Sequence, residues 1–146
     1  MQPAVSSSQF DRQLAYLIFR LTLGVNILIH GVTRIFGGAT AFASHTEAQF
    51  TNTPLPPGLV HTFLLAVPFI EVLLGALITI GLFTRWVLAL GGLLIVVLVL
   101  GTALRSDWTT VGVQMIYAIV YYLLLANRTE NRFSLDTLLL GPGTRR

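Results

Sequence analysis

The sequence contains no cysteine and no lysine, and it is poor in charge of either sign. The missing cysteine excludes a thiol–disulfide relay, Cys-ligated iron–sulfur clusters and Cys zinc sites. Charged residues make up 10% of the chain, against about 25% in soluble domains. With 54% hydrophobic residues and a mean hydropathy of +0.77, that deficit points to an integral membrane protein. At 146 residues there is room for one domain and no separate soluble catalytic one. The nine arginines are spread along the chain and form no basic tract, so nucleic acid is not an expected partner. The opening "MQPAVSSSQFDR" lacks a basic n-region and a small-residue cleavage site, so no cleaved signal peptide is expected.

What is present is apolar length. Four stretches, 14–36, 59–83, 86–104 and 108–126, meet the roughly 20 residues needed to cross about 30 Å of hydrocarbon. Only "TR" separates the second from the third, and only "RSD" the third from the fourth. Such short turns make neighbours antiparallel, so the expected fold is an all-α, four-transmembrane-helix antiparallel bundle. Six arginines (12, 85, 128, 132, 145, 146) fall on the side of the termini and two (34, 105) on the other. That asymmetry predicts a multi-pass protein with both termini cytoplasmic.

Two shorter elements are expected outside the spans. In 37–58, the residues Ala39, Phe42, Ala43, Thr46 and Phe50 follow helical spacing, which predicts an outer interfacial helix at about 40–51. "PLPPG" then ends it and restarts the chain. Near the C-terminus, Ser134 is a good N-cap for a short "LDTLLL" helix, with Asp136 at the positive end of its dipole. "GPG" should terminate it, and its leucines should cover the cytoplasmic end of the bundle.

Polar residues inside the spans are few and costly. Asn26, His30 and Arg34 are four residues apart and stack on one face of the first helix, which predicts that the face turns inward. Glu71 lies near the centre of the second span, just after Pro68, which leaves the Leu64 carbonyl without a helical partner. Matching span ends puts Glu71 near the level of Asn26, and Gln114 near that of His30. His30, Glu71 and Gln114 are then expected to line one cavity in the outer half of the membrane. Plainer roles compete: Arg34 and Arg105 snorkelling to the interface, Asn26 and Gln114 as interhelical hydrogen bonds, Tyr117 and Tyr121 as packing. Arg20 is open between an ion pair and a functional role. His45 and His61 should be solvated. No local spacing favours a metal site, and no metal, haem or flavin is expected in this chain.

The segments "FRLTLGVNILIHGVTRIFGG", "PFIEVLLGALITIGLFTR" and "RFSLD" resemble, in that order, the first helix, second helix and C-terminal Ser-x-Asp of the DoxX family. Arg34 stands where the pattern leads one to expect Lys. The resemblance implies a four-helix inner-membrane protein of a prokaryote. It maps the family's positions onto Arg20, His30, Gly31, Glu71, Gly75, Arg85, Ser134 and Asp136. It also implies kinship with subunits of a thiosulfate:quinone oxidoreductase, although nothing here is specific for thiosulfate.

A quinone head group needs hydrogen-bonding groups at its carbonyls and a nearby proton-exchanging side chain. Asn26, His30, Glu71, Gln114 and Tyr117 are of the right types, with His30 and Glu71 as the catalytic pair. Arg20, Arg85, Ser134 and Asp136 would be structural. The leading expectation is a quinone-interacting membrane subunit of an oxidoreductase complex, surrounded by lipid and joined to other subunits or to its own copies. A structural or assembly subunit and a small-solute or proton-coupled carrier are the alternatives. The topology has a direct check. A cysteine introduced at Ser44 reacts with an impermeant maleimide added from outside, and one at Thr144 stays unlabelled; the reverse pattern inverts the orientation.

Overall fold

The computed structural model describes residues 7–140. The chain folds as α1 (Ser7–Phe36), α2 (Ala39–Glu47) continued by one 3-10 turn (Ala48–Phe50), α3 (Pro57–Ile80), α4 (Thr84–Leu104), α5 (Trp108–Ala126), a second 3-10 turn (Arg128–Glu130) and α6 (Leu135–Leu140). α1, α3, α4 and α5 are each long and apolar enough to cross a membrane. This is the expected helical bundle, with the interfacial segment realised as α2 plus its 3-10 turn. α1 begins seven residues before the expected span, because Gln13 and Tyr16 are buried against the bundle.

α3 stops at Ile80 instead of running to residue 83. Gly81 takes a left-handed conformation (φ 70°), open to glycine without steric cost, and its N–H bonds back to Leu77 and Ile78. A Cβ there would also lie 2.4 Å from a nitrogen of Arg20. Phe83 precedes α4 with φ 50° and offers it no side-chain cap. Asp136 provides one instead, accepting from the Phe83 and Thr84 amides at 2.7 and 2.8 Å. Its carboxylate therefore serves the positive end of α4 as well as its place in α6.

Ser134 stands just before α6 and accepts from the Thr137 amide in a long 3.4 Å bond; its hydroxyl also meets the Thr137 hydroxyl at 3.1 Å and donates to the Asn131 carbonyl at 3.2 Å. Leu138 and Leu139 are 79% and 69% exposed. They do not cover the end of the bundle, because the hydrogen bond from the Asp136 amide to the Gly81 carbonyl fixes how α6 docks. The "GPG" stop lies outside the described residues.

α1 and α3 form the closest pair in the bundle. Three glycines allow it. A Cβ on Gly24 would lie 2.5 Å from the Thr79 hydroxyl, on Gly31 2.5 Å from the Pro68 carbonyl, and on Gly75 2.3 Å from the Leu28 nitrogen. Small residues of this kind let transmembrane backbones touch. These contacts set a register that span-end matching misses. Leu28 faces Gly75 and Gly31 faces Val72, so Glu71 sits near the level of Gly31 and not of Asn26.

α4 packs mainly on α5, where the Tyr121 ring lies against Gly91. α3 and α4, although joined by a short turn, touch much less. Gly75→Val should destabilise the chain by about 1–3 kcal/mol or more, the cost of overpacking a tight contact. Gly112→Val, where the added atoms meet nothing within 4 Å, should leave it unchanged. Unfolding in mixed micelles, followed by circular dichroism, compares the two.

Candidate functional site

Arg20 is 2% exposed, yet among the described residues no carboxylate forms an ion pair with it. Its guanidinium donates to the carbonyls of Ile78 (2.7 Å), Thr79 (3.0 Å) and Phe133 (2.7 Å). The first two belong to the C-terminal turn of α3, whose carbonyls carry the negative end of the helix dipole. One turn earlier, the Tyr16 hydroxyl donates to the Leu124 carbonyl at 3.1 Å. Asn131 donates to the Thr84 hydroxyl at 3.0 Å. Arg20, Ser134 and Asp136 therefore close the terminal end of the bundle as a structural knot. Arg85, on the same end, lies over the Trp86 ring at 5.2 Å.

Glu71 is buried and bonded to Arg34. Arg34 does not simply snorkel: one turn beyond Gly31, it lies within side-chain reach of Glu71 in the observed register. Its guanidinium also covers the Phe42 ring at 4.6 Å, joining the ion pair to α2. The second carboxylate oxygen of Glu71 is buried and has no hydrogen-bond partner among the described residues.

Beyond the α3–α4 turn, the gap between these helices widens into a cavity of about 520 Å³ at the α2 end of the bundle. Its wall is mostly apolar, with Phe50 and Leu64 in the lining, and Arg34, Arg105, Thr102 and Gln114 add polar groups. Gln114 donates to the Thr102 hydroxyl at 3.0 Å, while its carbonyl oxygen is buried and has no hydrogen-bond partner among the described residues. Arg105 is held by Asp107 at 3.0 Å and by Gln49, with its guanidinium over Phe50 at 5.4 Å. It too is anchored by partners, where snorkelling was the expectation. The Thr110 hydroxyl, then its amide, hold the Asp107 carboxyl below the usual carboxylate range. α2 is fastened over this end by a third contact, His61 Nδ1 to Glu47 Oε2 at 2.7 Å, so His61 is paired where a solvated ring was expected.

The cavity lined by Gln114 does not include His30 or Glu71, contrary to the expected three-residue cavity. Gln114 lines the cavity, and Glu71 lies behind Arg34. His30 and Asn26 are exposed on the outer surface of α1. The α3 contact takes the glycine face of α1, and these two residues lie on the opposite side. Asn26 accepts from the Tyr117 hydroxyl at 2.7 Å, an interhelical bond on the outside of the bundle. Arg105, Gln49 and Phe50 were not singled out from the sequence as site residues. Only the folded path of the 37–58 segment brings Gln49 and Phe50 to Arg105.

The DoxX family profile matches residues 15–121. The chain belongs to the DoxX family. It is thus a multi-pass membrane protein. No curated protein and no solved structure matches it. In this DoxX chain the matched region contains the glycine contacts, the Arg34–Glu71 pair and the cavity, whereas Ser134 and Asp136 lie beyond it.

Glu71→Ala leaves Arg34 beside a buried void and should cost about 3 kcal/mol, since removing one partner of a buried pair leaves the other uncompensated. Arg34→Met combined with Glu71→Leu should recover most of that loss. If both the single and the double variant unfold like the unaltered protein, the pair does not support the fold.

Proposed function

We propose that the cavity between α3 and α4 receives the ring of a quinone, and that this DoxX chain is the quinone-interacting membrane subunit of an oxidoreductase complex. The observation that carries the reading is the buried Gln114 carbonyl, without a hydrogen-bond partner among the described residues, in a largely apolar cavity of about 520 Å³. That volume lies within the roughly 300–1,000 Å³ of small-molecule sites. The Gln114 oxygen accepts from a ring hydroxyl, and Arg105 and Arg34 present N–H groups suited to a ring carbonyl. Glu71, behind Arg34, is the carboxylate that holds that guanidinium at the cavity. A bound quinone would supply two-electron, two-proton carrier chemistry, with a partner subunit as the source of electrons.

His30, Asn26 and Tyr117 take no part in this version of the site, because they lie outside the cavity. In this reading the protein sits in a prokaryotic inner membrane, and the six-to-two arginine asymmetry supports both termini being cytoplasmic, with α2 facing outward.

Calorimetry with a short-chain quinone in detergent tests the reading. Gln114→Leu should weaken binding about tenfold, the loss of one buried hydrogen bond. Leu93→Ala on the exposed face of α4 should leave it unchanged. Absence of binding by the unaltered protein, or equal binding by Gln114→Leu, removes the site.

A further inference from the structure

Thr22, Asn26 and His30 form a row on the side of α1 away from α3, all exposed in the middle of a membrane-spanning helix. With Leu21, Val25 and Ile29 they line one shallow, concave strip. Thr22 satisfies its own hydroxyl on the Ile18 carbonyl at 2.9 Å. Asn26 spends one acceptor position on Tyr117. The Asn26 amide nitrogen and the His30 ring have no hydrogen bond among the described residues. Hydrocarbon supplies neither donors nor acceptors, so polar groups at this depth are stable only against protein or water.

We propose that this strip is the interface of a homodimer, α1 against α1 of a second copy, about a two-fold axis along the membrane normal. Such an axis places each residue opposite its own copy at the same depth, so the facing groups have to be self-complementary. A carboxamide and a neutral imidazole each carry both a donor and an acceptor, and both meet that condition. Two Asn26 carboxamides pair reciprocally, each nitrogen donating to the other's oxygen, which keeps a second lone pair for Tyr117.

No charged residue lies on α1 between Arg20 and Arg34. Arg20 is bonded to carbonyls inside the bundle and Arg34 is bonded to Glu71. A two-fold axis therefore opposes no like charges along the strip. The glycines of α1 are committed to α3, so dimerisation competes with no contact inside the protomer. The cavity lies on the far side of α1 from this strip, and the inference does not depend on its occupant.

The absence of cysteine makes the test direct. Val25→Cys and Ile29→Cys, made singly, are oxidised in native membranes, with Leu93→Cys on the exposed face of α4 as the control. Dimers cross-linked at positions 25 and 29 and not at 93 are expected, and Asn26→Leu with His30→Leu should reduce the cross-linked fraction several-fold. Cross-linking absent at both α1 positions, or equal at position 93, overturns the proposal. So does linkage of α1 to a different polypeptide, which makes the strip a heteromeric site. The cysteine map needs no polar substitution, so it stands even where the double variant fails to fold.

Discussion

The backbones of α1 and α3 touch where Gly24, Gly31 and Gly75 remove the side chains that would hold them apart. Much else in the molecule depends on that approach. It sets the register between the two helices, and the register brings Arg34 to Glu71 and Arg20 to the last carbonyls of α3. Arg20 and Glu71 would each be untenable in hydrocarbon alone. The apolar surroundings that make the isolated groups costly also make their partnered forms hard to separate.

At the terminal end, the backbone itself is the partner. Arg20 binds carbonyls of α3 and of the segment leading into α6, and Asp136 binds amides at the start of α4. The positive side chain meets the negative end of one helix and the negative side chain meets the positive end of the next. The Gly81–Phe83 turn is clasped from both sides, which holds the end of α3 to the start of α4. Their separation at the other end leaves the cavity, with Phe42 and Phe50 packed under the Arg34 and Arg105 guanidinium groups at its edge. A tight end and an open end are thus two results of one arrangement.

Spans, turns, bundle topology and family were legible in the sequence, and so was the cost of Glu71 at mid-membrane, which calls for either a cationic partner or a bound proton. These follow from hydropathy, length and residue type, which act locally and leave a mark on every stretch of chain. The identity of the cation was not legible. Ranking residues by distance from the span ends placed Glu71 beside Asn26. Close glycine packing shifts the helices by more than a turn and gives it Arg34 instead.

The polar stripe of α1 shows the same division. Its spacing put Asn26, His30 and Arg34 on one side of a cylinder, and that was correct as geometry. Which way the side faces was decided by competition with Gly24 and Gly31 for α3, and the glycines won because close backbone contact is the main attraction available between helices in lipid. Arg34, long and near the helix end, bent back to Glu71, while the shorter Asn26 and His30 stayed on the surface. By itself the sequence determined which residues cross the membrane and which polar groups require a partner. Only the tertiary structure decided the pairings, because register and helix rotation come from contacts between segments far apart in the chain.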